Sequence, residues 1–164
     1  MERSLSKLKD VDQQILLEMD DETLLNYCKS HKYGSQLCED DLFWKKRVIR
    51  RFGSIQKGEN RTWKNLYLNL IYYMSTYDDK NDALYQISVK GIKNIDLINF
   101  YLLRGADLNE GLLGASQGGD KNLVEYYISR GANDFINGFL TAKQFGNNHL
   151  LKIFREHGLR VFGV

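Results

Sequence analysis

Cys28, His31 and Cys38 are the side chains whose types and spacing come nearest to a reactive or metal-binding constellation. A structural zinc site takes four such ligands, and no fourth Cys or His lies near them, so the trio reads as two core thiols beside a surface histidine. With no apolar signal core in Met1-Glu-Arg-Ser-Leu-Ser-Lys7, a reducing compartment is expected, and both cysteines read as free thiols buried like small hydrophobes. His149 and His157 are eight apart, about two turns on one predicted helix, but neither a paired carboxylate nor an activated nucleophile accompanies them. Gly111-Leu-Leu-Gly114 and Gly118-Gly119 lack the preceding strand and the following Gly-Lys-Ser/Thr of a phosphate loop, and they read as turns. No catalytic, cofactor-binding or metal-ligating residue is assigned. The chain is expected not to be an enzyme and to need no cofactor.

Lys45, Lys46, Arg47, Arg50 and Arg51 form the strongest cue for nucleic acid. They interleave with Trp44, Val48, Ile49 and Phe52, which places the charges on the outer face of a helix whose other face is buried. A solvated face is the plainer reading, because Asp40 and Asp41 dilute the local field and the net charge is only +2, divided evenly between residues 1–80 and 81–164. No apolar run approaches 18 residues, so no membrane span is expected, and the sequon Asn60-Arg61-Thr62 reads as idle. An intracellular site of action is expected.

The elements that would carry these residues are helices. The chain has 164 residues, 43% of them hydrophobic, with no proline and 14 glycines, so glycine supplies the punctuation. Two C-terminal stretches share one pattern: Ala115, Gly119, Leu123, Tyr127 and Gly131 recur 27 residues later as Ala142, Gly146, Leu150, Phe154 and Gly158. A third copy places Leu97, Ile98, Tyr101 and Gly105-Ala106 26 residues before Leu123, Val124, Tyr127 and Gly131-Ala132. A fixed period of that size signals stacked helix pairs, none of which buries its apolar face alone. The expected repeat core is Ala115, Leu123, Val124, Tyr127, Ala142, Leu150, Leu151 and Phe154, with polar turns at Asp107–Glu110 and Asn133–Asn137.

Upstream, Val11, Ile15, Leu16 and Met19 mark one helix, and Asp20-Asp21 caps a second that begins with Leu24, Leu25 and Cys28. His31 to Gln36 reads as a polar loop, and Leu42, Trp44, Val48, Ile49 and Phe52 as the apolar side of a third helix. A fourth shows Trp63, Leu66, Tyr67, Leu70, Ile71 and Met74 on one stripe, leaving Lys64, Asn65, Asn69 and Tyr73 outside.

The repeat pattern over residues 83–158 resembles ankyrin repeats, particularly the shortened ones of large DNA viruses. Its period falls about six short of the family's usual 33, and no Thr-Pro-Leu-His opens a helix, which implies reduced or missing hairpin fingers. Leu8 to Cys28, followed by Leu37-Cys-Glu-Asp-Asp-Leu-Phe-Trp44 and Arg61-Thr-Trp-Lys-Asn-Leu-Tyr67, resembles the F-box-like heads found before such arrays, with no Leu-Pro at its start. The two resemblances imply an all-α chain: an F-box-like helical head over 1–80, then about three short ankyrin-like repeats with a C-terminal tail over 81–164. They imply a protein-binding role, in which Leu8, Val11, Ile15, Leu16 and Met19 face a Skp1-type adaptor of a cullin ubiquitin ligase and the repeats hold a target. A viral source and action in the host cytoplasm or nucleus, or in association with the virion, belong to the same implication. The alternatives are a structural or virion scaffold and a nucleic-acid binder through the 45–51 helix. The apolar 159–164 tail is expected to fold back on the last repeat of a monomer, its alternative being to pair two chains.

Overall fold

The computed structural model describes residues 9–59 and 61–158, which form eleven α-helices and two 3-10 turns, with no strand among them. The chain divides into two compact units between Leu68 and Asn69, inside a helix.

The first unit contains α1 (Lys9–Glu18), α2 (Asp21–Ser30), α3 (Lys32–Cys38), α4 (Asp41–Phe52) and the first part of α5 (Trp63–Thr76). Short polar side chains start α2 and α4: the Asp20 carboxylate accepts from Thr23 N at 2.8 Å and that of Asp40 from Leu42 N at 3.0 Å. Leu16, Leu24, Phe43, Trp44, Val48, Leu66 and Tyr67 are fully buried, and each such apolar side chain contributes about 1.5–3 kcal/mol. Trp44 lies 5.4 Å from Tyr67, centroid to centroid, and its indole N–H donates to Cys38 O at 2.7 Å.

Several expectations for this unit are corrected. The segment read as a loop at His31 to Gln36 lies mostly in α3, and its glycine serves a close approach instead of a turn: a Cβ on Gly34 would come within 2.6 Å of the Tyr27 ring. Cys28 and Cys38 are not free thiols but a disulfide, their Cα atoms 5.8 Å apart. In α4 the inward face is Phe43, Trp44, Arg47, Val48 and Phe52, whereas Leu42 and Ile49 are exposed. In α5 Leu66, Tyr67 and Leu70 of the expected stripe are buried, but at the end of the helix Tyr73 is buried and Met74 exposed.

The second unit begins with the end of α5 and continues as three helix pairs. They are α6 (Lys80–Val89) with α7 (Ile95–Leu103), α8 (Leu108–Gly118) with α9 (Lys121–Ser129), and α10 (Phe135–Gln144) with α11 (Leu151–Gly158). The first helix of each pair packs on that of the next, and the second packs against its own partner. Glycine sets the tight spacing: a Cβ on Gly114 or Gly118 would come within 2.3 Å of the Tyr85 or Val89 carbonyl oxygen of α6. Gly119, at φ 75°, ends α8 in the left-handed conformation that a side chain disfavours.

Polar side chains stitch one pair to the next. Asn81 Oδ1 accepts from Asp107 N at 2.8 Å, and Asn109 Oδ1 accepts from Asn133 N at 2.9 Å. Asn147 Nδ2 reaches back to donate to the Ser116 and Gln117 carbonyls at the end of α8, at 2.9 and 2.8 Å. These contacts satisfy backbone groups that the short helices leave open. Asp107 and Asp134 are N-caps, so α8 and α10 start inside the segments read as turns.

Candidate interaction surface

The groups with reactive potential are dispersed or consumed. The thiols are joined to each other, and His149 lies in the 3-10 turn Asn148–Leu150 while His157 lies in α11, so the two histidines do not share a helix. A His149 ring nitrogen sits 3.0 Å from Gly119 O, and the His157 ring tilts against Phe135. Among the described residues no group of three His, Cys, Asp or Glu is placed to hold a metal ion, and no helix is long and apolar enough to cross a membrane.

The basic cluster is also rearranged. Arg47, expected on the outer face, is buried at 6% exposure. Its guanidinium donates to Leu17 O and Met19 O, both at 2.6 Å, and to Asp21 Oδ1 at 3.0 Å, while its Nε donates to the Tyr67 hydroxyl at 2.9 Å. An arginine at this place satisfies carbonyls at the end of α1 and sets positive charge at the negative end of that helix. Arg51 pairs with Asp21 and Arg50 with Glu18, and Lys45 lies 5.7 Å from the centre of the Trp63 ring. Lys45 and Lys46 stay exposed. The buried arginine was discoverable: it falls four residues after Phe43 and one before Val48, on the stripe those two define.

The residues expected to face an adaptor separate cleanly. Val11 and Ile15, one turn apart on α1, are 47% and 44% exposed. Leu16 is fully buried and belongs to the core, a correction to its expected docking role; Met19 is half-buried. The rest of the circumference of α1 carries the contacts that hold it. Tyr33 donates its hydroxyl proton to Asp12 Oδ2 at 2.7 Å, Gln13 Nε2 donates to Asp40 Oδ2 at 3.0 Å, and Lys9 pairs with Asp40 at 3.0 Å. The Gln13 and Lys9 hydrogen bonds, in that order, hold the Asp40 carboxyl down at about 2, and the bond to Asp12 raises the Tyr33 phenol. A fixed helix thus displays two aliphatic side chains. Leu8 and the 159–164 tail, with the fold-back and chain pairing expected of it, lie outside the described residues.

In the second unit, Ala115, Leu123, Val124, Tyr127, Ala142, Leu150 and Phe154 are buried and Leu151 is half-buried. Among the described residues of this unit, an apolar cleft of about 250 Å³ opens between α10 and α11, lined by Phe135, Ile136, Phe139, Leu140, Phe154 and Arg155. Along the edge where the first helices of the pairs begin runs an acidic row of Asp79, Asp82, Asp107, Glu110 and Asp134. Burial, then these neighbours, raise the Glu110 carboxyl above its ordinary range. No family model, no curated protein and no solved structure matches this chain.

Proposed function

We propose that the chain is a non-catalytic protein-binding module. Its F-box-like head docks a Skp1-type adaptor of a cullin ubiquitin ligase, and its ankyrin-like helix pairs carry a target protein, in the setting of a viral infection. The observation that supports docking through the head is the Val11–Ile15 stripe: two aliphatic side chains one turn apart, exposed on a helix whose other face is locked by Asp12, Gln13, Leu16 and Leu17. Apolar pairs so placed are suited to fill a groove on a partner. The packed repeats support the second half, since a stack of short pairs offers a long surface and no enclosed reaction site.

The test is capture of a purified Skp1-type adaptor by the full chain. Wild type binds, Val11→Glu and Ile15→Glu each lose binding, and the circular dichroism spectrum is unchanged because both positions are solvent-exposed. Wild type that captures no adaptor, or glutamate variants that bind as well as wild type, would refute the reading.

A further inference from the structure

The disulfide closes the hairpin of α2 and α3, elements that contribute few side chains to the core. Helix α2 buries Leu24 alone, and α3 buries Gly34, Leu37 and Cys38. With seven residues and no side-chain hydrogen bond at its N-cap, His31, α3 is too short to hold its helical form by itself. What fixes it is the close seat of Gly34 on Tyr27, the bond from the Trp44 indole to Cys38 O, and the Cys28–Cys38 link. In turn α3 fixes α1, because the Tyr33 hydroxyl donates to the fully buried Asp12. A path of contacts therefore runs from the disulfide through α3 to the buried flank of α1 that adjoins Val11 and Ile15. Cys28 is half-buried and Cys38 is buried, so Cys28 is the more accessible residue of the pair.

We propose that Cys28–Cys38 is a thiol switch that sets how firmly α1 is held. A dithiol reductant attacks Cys28 Sγ, the S–S bond breaks, and Cys38 leaves as a thiolate that takes up a proton. The second thiol of the reductant then cleaves the mixed disulfide. Two electrons and two protons pass to the cysteine pair, and the reductant departs as a disulfide. Without the link α3 loosens, the Tyr33–Asp12 contact opens, and α1 loses one of the ties that aim its aliphatic stripe. The effect on docking rests on the function proposed above, whereas the switch does not.

Hydrogen exchange followed by mass spectrometry on the full chain tests this, comparing the air-oxidised protein with the same sample in dithiothreitol. Amides of residues 9–18 and 32–38 exchange about tenfold faster after reduction, while those of α4 and of the helix pairs keep their rates. Tyr33→Phe, oxidised, reproduces the acceleration in residues 9–18 with the disulfide intact, and it supplies an arm that needs no cysteine substitution. Equal exchange of residues 9–18 in the two redox states overturns the proposal, as does acceleration spread evenly over the whole chain. If α1 responds to reduction while no adaptor binds in either state, the docking reading falls and the switch stands.

Discussion

Two tyrosines at equivalent places in successive helix pairs differ in one bond, and that difference sets a sharp test of the packing. Tyr127 of α9 is fully buried, with its hydroxyl oxygen 2.6 Å from Ser88 Oγ of α6. Ser88 Oγ also lies 2.7 Å from Leu84 O, which accepts only, so the single serine proton goes there and Tyr127 must donate to Ser88. Tyr101, 26 residues earlier in α7, is 5% exposed, yet its hydroxyl has no hydrogen-bond partner among the described residues. Tyr127→Phe removes a satisfied donor at a net cost of about 1 kcal/mol. Tyr101→Phe removes a desolvated hydroxyl that makes no bond, so it is neutral or stabilises by up to about 1 kcal/mol. For a unit of this size 1 kcal/mol corresponds to roughly 4–8 °C in melting temperature. Urea and thermal unfolding of the full chain should therefore move in opposite directions, or move only for Tyr127→Phe. Equal losses for the two variants would refute the bond assignment. Burial raises both phenols above their ordinary value, so this contribution to stability is complete below about pH 10 and fades as the pH rises further.

Arg47→Ala should cost about 2–4 kcal/mol in urea unfolding, because it leaves the Leu17 and Met19 carbonyls without their donor, while Asp21 keeps its pairing with Arg51. Arg50→Ala, which breaks a pair exposed on both sides, should cost no more than about 1 kcal/mol, and equal costs would refute the structural role of Arg47. Leu123→Ala and Leu150→Ala should each lose about 2–5 kcal/mol, since both leucines are fully buried; unchanged melting for both would sink the repeat register. Asp40, held down at about 2, contributes stability above the ordinary carboxylate pKa of about 4 that disappears as the pH falls through 2. Gln13→Ala should move the Asp40 midpoint upward in a carboxyl NMR titration, and an unmoved midpoint would show that the hydrogen bond does not control it.

The helical class was legible because it depends on spacing alone. Apolar residues at helical intervals and glycines at segment ends mark all three pairs, and Gly91, Gly105, Gly119, Gly131 and Gly146 do adopt positive φ. What escaped depends on contacts between segments. Tyr73 and Met74 both fall within a plausible apolar stripe of α5, and only the neighbours decide which one turns inward. Gly34 reads equally as a turn residue or as a place where two helices touch. A ten-residue separation between cysteines fixes no Cα distance, so the Cys28–Cys38 link was invisible. Arg47 was misread for a different reason. Charge suggested solvent, while its position on the Phe43–Val48 stripe pointed inward, and the open carbonyls that made burial favourable belong to another helix.

The same distinction governs where a partner can be sought. Positions that repeat have structural explanations even on the surface: Arg104 and Arg130, 26 apart, lie 3.5 and 4.6 Å from the rings of Phe100 and Tyr126, each one turn earlier. Both sit at the ends of their helices, where positive charge offsets the dipole. Repetition in an exposed residue is therefore no sign of binding here. Among the exposed apolar side chains without such an internal explanation, which also include Leu42, Ile49, Met74, Leu103 and Phe145, two pairs stand out, Val11 with Ile15 on α1 and Ile136 with Leu140 on α10. In each pair the two residues are four apart, so each makes an aliphatic ridge along one helix face. The α1 ridge stands on a helix pinned by named polar contacts and needs no change of backbone to meet a partner. Its binding energy would not be spent on ordering the site. A glutamate on the α1 ridge should therefore act on affinity alone, and a loss of helicity in Val11→Glu would show that this face supports the fold instead of a partner.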